Sequence, residues 1–442
     1  MSRGLIDLRR YINRLKLLRT IEVTGQVSKV IGFTIEARGI KVPVGEVCKV
    51  YPHDMSREIL AEVVGFRDED AILMPLGDMT GISPSSKVVT TGKPLTVKVG
   101  RGLLGRILNG LGEPMDGLGP IKVEDEYPVY SSPPHPLKRS RITEMITTGV
   151  RAIDLFTSLG KGQRIGIFGG SGVGKSVLLG MTARYTEADV SVIALIGERG
   201  REVREFIEED LGEEGLKRSV VVVATSDQPA LMRIRGAFLA TAIAEYFRDQ
   251  GHDVIFMMDS ITRFAVAQRE VGLSSGEPPT TRGYTPSVFA LLPKLLERTG
   301  CSESNGSITG IYTILVEGDD MNEPISDAVR AILDGHIVLS RELASKNHYP
   351  AIDILNSLSR LMVQIADEEH QKLAAEAREL LAVYREKEDL VNVGAYVHGS
   401  DPKMDRALKL IEPINQILRQ NISEKAIFTE SLQKLKMILS SA

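Results

Sequence analysis

Cysteine is nearly absent. The 442 residues hold two, Cys48 and Cys301, and neither has a neighbour at metal-ligand spacing, which excludes a disulfide framework and a cysteine-based zinc site and points to a reducing compartment. No apolar run approaches the roughly 20 residues that a bilayer crossing needs, and the first residues interleave arginine with leucine instead of forming a signal-peptide block, so a cytoplasmic location is expected. A positive balance is missing too. Formal net charge is -4, which gives no global electrostatic ground for binding DNA or RNA, and no nucleic-acid partner is expected. Neither a fixed-period repeat nor a long low-complexity tract interrupts the chain. What remains, 43% hydrophobic and 25% charged, suffices for a large core divided into two or three domains.

Four segments follow from pattern. Residues 1–22 form a basic amphipathic helix, with Leu5, Leu8, Ile12 and Leu15 on one stripe and Arg9, Arg10, Arg14 and Lys16 elsewhere; such a helix docks on its own protein, on a partner or on an anionic membrane surface. Residues 23–93 carry short β-rich runs between Gly, Asp and Pro punctuation, the pattern of a small β-barrel or sandwich. Residues 94–361 include a Pro- and Ser-rich crossing segment, "EDEYPVYSSPPHPLKRSR". From about 145 they alternate continuous apolar strands with helix-compatible stretches, predicting a parallel sheet buried on both faces. Residues 362–442 are helical and charged and form a C-terminal α-helical domain. The fold class is α/β.

The chemistry starts at "GIFGGSGVGKSVLLG", residues 166–180. Gly169, Gly170, Ser171, Gly172, Val173, Gly174, Lys175, Ser176 and Val177 lie between a strand-like "RIGIF" and a helix-compatible run, the context a phosphate-binding loop requires. Glycines let backbone N–H groups converge on phosphate oxygens, Lys175 neutralises the β- and γ-phosphates, and the Ser176 hydroxyl is suited to Mg²⁺. A second metal partner is expected at Asp259, directly after the apolar run of "DVIFMMDS". One residue is conspicuously missing here. Many P-loop motors follow the metal aspartate with a glutamate that orients the attacking water, and this chain has Ser260. Glu198, just past the carboxyl end of "VSVIALI", is the candidate for that work. A guanidinium is also expected, but spacing alone does not separate Arg360 from Arg263 or Arg282.

"GGSGVGKS", "IGERGREV", "MMDSITRFA", "GEPPTTRGYTPSVFALLPKLLERTG" and "HYPAIDILNSLSR" together resemble the catalytic core of the rotary-type ATPases: the F1 β subunit, the V/A-type catalytic subunit and the type III export ATPase. "VEGDDMNEPISDAVRAILDGHIVLSR" and its neighbours resemble the export branch, in its flagellum-specific form. The resemblance implies a β-barrel, a central RecA-like P-loop core and a C-terminal helical domain acting as an ATP-hydrolysing, protein-translocating enzyme. It implies ATP and Mg²⁺ as ligands, Lys175 and Ser176 on phosphate and metal, Glu198 on water, Arg199 near the γ-phosphate, and Asp259 positioning the metal. It also implies that Arg360 is an arginine finger across a subunit boundary and that Tyr349 lies against adenine. With Glu198 and Arg360 in one polypeptide, a homohexameric ring follows. Further implied partners are a stator-like regulatory export protein on the N-terminal helix, a central stalk protein, chaperone–cargo complexes, and an export gate that keeps the ring peripherally on the inner face of the membrane. Virulence-type secretion is the alternative, and a hexameric nucleic-acid translocase a more distant one. Where export enzymes often have alanine at the first or second glycine of the loop, this chain keeps glycine, a change expected to leave phosphate binding intact.

Overall fold

The computed structural model describes residues 22–303 and 305–441. The basic helix expected at the N-terminus, and the partner and lipid contacts assigned to it, lie outside the described residues. Two compact units result, one ending at Leu95 and the other beginning at Thr96.

In the first unit, β1 (Thr24–Ile31), β2 (Thr34–Arg38), β3 (Glu46–Val50), β4 (Ile59–Arg67), β5 (Asp70–Pro75) and β6 (Lys87–Pro94) close into a barrel in the order β1-β2-β5-β4-β3-β6. All its ladders are antiparallel, and β6 returns to pair with β1. Val27, Ile35, Val50, Val63, Leu73 and Val88 fill the interior. Closure leaves no unpaired sheet edge, and the small branched side chains match the narrow lumen.

The second unit is built on one large sheet. Its strands are β7 (Arg106–Asn109), β8 (Arg164–Gly169), β9 (Val190–Ile196), β10 (Ser219–Ala224), β11 (Asp253–Asp259), β12 (Ser307–Leu315), β13 (Gly335–Leu339) and β14 (Ile352–Ser359), in the order β14-β13-β8-β12-β11-β9-β10-β7. Every pair on this path is parallel except β13 with β14. β9 and β10 are buried at all positions, which is why they read as unbroken apolar runs: helices cover both faces. The register sets Gly169 beside Leu315 and Asp259 beside Leu195, so the carboxyl ends of β8, β9 and β11 lie side by side.

The C-terminal helices Glu368–Asn392, Pro402–Leu418 and Phe428–Ser440, expected from the sequence as a third domain from 362 on, share one apolar core with the sheet. Ala377, Leu380, Leu410, Ile414 and Leu435 belong to the same cluster as Ile153, Leu179 and Ile337. Polar ties reinforce this. Arg378 donates to the carbonyls of Ile354 and Phe156, and the His370 ring meets the Leu155 carbonyl at 2.8 Å. Among the described residues, no helix is long and apolar enough to cross a membrane.

Candidate active site

At the carboxyl end of β8 the chain turns through residues 170–174 into α1 (Lys175–Tyr185). Gly172 and Gly174 take φ of 78° and 93°, left-handed values that cost a glycine little and other residues much. A glycine-rich turn of this kind suits backbone N–H groups to a phosphate, and α1 adds the positive end of its dipole. Lys175 folds back over this loop, its ammonium donating to the carbonyls of Gly169, at 3.0 Å, and Gly170. Burial holds the ammonium below its ordinary range, with the Asp259 and Glu198 charges pulling the other way.

Asp259, on the last position of β11, is buried, and its two oxygens are divided between partners. Oδ1 accepts from the Thr313 hydroxyl at 2.6 Å, and Oδ2 from the Ser176 hydroxyl at 3.4 Å. Burial raises its pKa; the Thr313 hydrogen bond and the Lys175 and Arg263 charges oppose this. A buried carboxylate beside a P-loop hydroxyl is a fitting donor set for Mg²⁺, which takes one or two such protein oxygens and fills its remaining positions with phosphate and water.

Glu198 follows Gly197 at the tip of β9. Arg263, on α2 (Ile261–Ser274), donates to both of its oxygens, Nε at 2.7 Å and Nη2 at 3.3 Å. Burial, then the nearby Asp259 charge and a hydrogen bond shared with Glu202, push the Glu198 carboxyl up to about 8, with Arg263 opposing. Lys175, Ser176, Asp259 and Glu198 therefore converge, as their positions at neighbouring strand ends require.

Three other sequence candidates stand elsewhere. Tyr349, 42% exposed, lines a pocket of about 320 Å³ with Gly172, Val177, Pro350 and Ile422; this pocket adjoins the phosphate loop. Arg199 begins the helix Gly200–Glu205 and pairs with Glu202 at 3.3 Å, mostly in solvent. Arg360 lies at the opposite end of the sheet from the loop. Its N–H donates to the Asp334 carbonyl, and the Asp334 N–H to the carbonyl of Arg164, the first residue of β8. The loop begins at the other end of that strand, on the order of 16 Å away at the rise of an extended chain.

Sequence reasoning missed several neighbours. Arg263 was one undistinguished arginine among three, yet it is the partner of Glu198. Thr313, which holds Asp259, gave no motif signal. Nor did Gln420, whose amide donates to the Gly149 and Glu424 carbonyls while its own N–H donates to the Tyr349 carbonyl, bringing the C-terminal helical segment to the pocket. At the second glycine of the loop an added Cβ meets only the far end of one long side chain. A Cβ on Gly170 would fall 2.3 Å from the Arg341 guanidinium, so alanine there requires Arg341 to swing away from the loop.

A phosphate loop at a strand end, a buried aspartate two strands away that meets the loop serine, and a second carboxylate close to both define a P-loop nucleotide-hydrolysing enzyme. The chain matches the ATP synthase alpha/beta family in its beta-barrel domain over residues 27–92 and its nucleotide-binding domain over 149–359, and the T3SS EscN ATPase C-terminal domain over 366–437. It is 55% identical to the flagellum-specific ATP synthase of Bacillus subtilis, covering 95% of this chain and 97% of that one. It is 52% identical to the type 3 secretion system ATPase of Xanthomonas euvesicatoria, covering 95% and 94%. The solved structure of the assembled ATPase EscN with its central stalk EscO, from the type III secretion system of enteropathogenic E. coli, superposes with a TM-score of 0.87 at 45% identity, covering 94% of this chain and 100% of that chain. The chain belongs to the ATP synthase alpha/beta family, among its flagellum-specific and type 3 secretion ATPases.

Proposed function

We propose that this chain hydrolyses Mg-ATP at the seams of a homohexameric ring and that the turnover drives flagellar type III protein export, releasing and unfolding chaperone-bound cargo. The flagellar reading is supported by the identity to flagellum-specific ATP synthases across almost the full chain. A solved relative assembles with its central stalk, and by analogy a stalk protein threads this ring. The stator-like regulator, the chaperone–cargo complexes and the peripheral seat at a membrane export gate belong to the same reading.

Each residue has a role that its placement supports. The loop from Gly169 to Val177 binds the phosphates through backbone N–H groups, and Lys175 neutralises their charge. Ser176 and Asp259 hold Mg²⁺, which when bound draws charge from the phosphate oxygens. Glu198 takes the proton of the attacking water. Tyr349 stacks on adenine, and Arg199 assists from the rim.

The observation that carries the ring is the position of Arg360. It stands a strand's length from its own phosphate loop, whereas Glu198 stands beside that loop, so the guanidinium serves a neighbouring protomer. Mixing Glu198→Gln chains with Arg360→Ala chains tests this directly. Each is expected to be inactive alone. A random equimolar ring restores about one seam in four, where a chain with its acid meets a neighbour with its arginine, and turnover should recover to about a quarter of the native rate. Mixed rings that assemble and stay inactive would refute it.

A further inference from the structure

A guanidinium that serves a neighbouring protomer has to be aimed from its own backbone, and the root of Arg360 is held at several points. Its N–H donates to the Asp334 carbonyl at 3.0 Å. The hydroxyl of Ser359, the residue before it, donates to the Ser158 carbonyl at 2.8 Å and accepts from the Gln163 amide at 3.0 Å. Gly335 pairs with Ser359 across the antiparallel ladder of β13 and β14. A Cβ on Gly335 would fall 2.4 Å from the Leu358 carbonyl oxygen, so a bare Cα lets the two backbones close there.

Asp334 is fixed in turn by Arg164. Its carboxylate accepts from the Arg164 N–H at 3.0 Å, from Nε at 3.2 Å and from Nη2 at 3.3 Å, and its own N–H donates to the Arg164 carbonyl at 2.9 Å. Nε and Nη2 take one carboxylate oxygen each, a two-point contact that sets direction as well as charge. The Arg164 side chain is 14% exposed and that of Asp334 26%, so salt screens the pair little. Arg164 opens β8, the strand that runs into the phosphate loop at its other end. Nearness in sequence would make it a support of its own chain's loop, whereas its hydrogen bonds lead to Asp334 and from there to Arg360.

We propose that Arg164 is a positioning residue of the Arg360 finger. Through Asp334 it sets where the guanidinium stands, and it therefore serves the site of the neighbouring protomer and not its own. Gln163 supports the same root through Ser359.

This inference rests on Arg360 acting across a seam, and the two fail separately. A mixture of Glu198→Gln and Arg360→Ala chains that assembles and stays inactive removes the seam, and this role with it. Given recovery in that mixture, Arg164→Gln decides. In the full-length protein its kcat should fall about ten- to a hundredfold, the scale of a small displacement of a catalytic group, with ADP affinity within about twofold and ring size unchanged. Arg164→Lys, which keeps the charge and loses the two-point grip, should recover part of the loss. Equimolar mixing then shows whose site is affected. Arg164→Gln with Glu198→Gln should rise to about a quarter of the native rate, because one seam in four joins an intact acid to a well-held finger. Arg164→Gln with Arg360→Ala should stay at or below the rate of Arg164→Gln alone, since no seam then has a well-held finger. The reverse pattern would put the defect in the phosphate loop of the same chain; that pattern, recovery in both mixtures, recovery in neither, or native turnover of Arg164→Gln each overturns the proposal. Asp334→Asn, which keeps the side-chain shape, should repeat the expected pattern and decides the question if Arg164→Gln does not fold; native turnover in it would overturn the route through Asp334.

Discussion

Tyr349 shows what one side chain contributes to a site that is otherwise backbone. Its pocket is lined mainly by glycine and aliphatic carbon; the Gln420 amide is bonded to the Arg151 N–H and to the Gly149 and Glu424 carbonyls, the carbonyl of Tyr349 to the Gln420 N–H, and that of Ile422 to Arg184 and Tyr185. Stacking on the ring is therefore the main handle on the base. Base–aromatic stacking is worth about 1–3 kcal/mol, so Tyr349→Ala should raise KM for ATP about 5- to 150-fold with kcat little changed, and Tyr349→Phe should leave both near native in steady-state kinetics. Away from the site, Glu62 is buried on β4, and burial pushes its carboxyl up to about 8. The sign follows from linkage. A carboxyl raised in the folded state is protonated there and ionised in the unfolded chain between the ordinary carboxylate range and about 8, so folding loses stability as pH rises, at up to about 1.4 kcal/mol per unit. Glu62→Gln should unfold later than native in denaturant at pH 8 and show a much smaller advantage at pH 5; an equal advantage at both would show that the carboxyl is not raised. Lys175, Asp259 and Glu198 were legible because each sits within a few residues of an apolar strand, and parallel strands align their ends. The Glu198–Arg263 pair was not, because the two residues are 65 positions apart and only the order of strands brings them together.

At the level of elements, the least readable feature is how the helical tail and the crossing segment are fastened. Charge pattern identified the tail as helical but could not show that its apolar stripe completes the core of the sheet, since amphipathic helices of independent and docked domains look alike. The crossing segment is held by a charge that sequence gives no reason to notice. Arg298 is fully buried, donates to the Val129 carbonyl at 2.6 Å, and pairs with both oxygens of Glu245 on the long helix Ala230–Asp249. Removing one member of such a pair leaves an uncompensated charge in the interior, at a cost of about 3–5 kcal/mol, whereas replacing both with apolar side chains of similar size is often neutral. Glu245→Ala should therefore lower the unfolding free energy by that amount in denaturant titration, and Arg298→Met with Glu245→Leu should recover most of it. A single variant within about 1 kcal/mol of native would show that water reaches the site and that the pair does not anchor the segment.

The whole molecule is read differently depending on whether one chain or several is taken as the catalytic unit. Within one chain the phosphate loop, Ser176, Asp259 and Glu198 lie together, and Arg263 near them is paired with Glu198. The backbone of Arg360 is anchored at the other end of the sheet, beside the amino-terminal ends of β8 and β13. A site complete only across a seam makes catalysis a property of assembly, with a consequence for dilution. Nucleotide binding depends on residues of one chain and should be independent of protein concentration, while specific activity should rise with concentration and level off once rings are complete. Arg360→Ala should separate the two: about 10³-fold or more lost in kcat, the scale for an arginine finger, with ADP affinity and ring size unchanged by equilibrium binding and light scattering. If specific activity stayed constant down to concentrations at which scattering shows only single chains, each chain would have to supply its own guanidinium. Arg360, a strand's length from the phosphates, could not be that group.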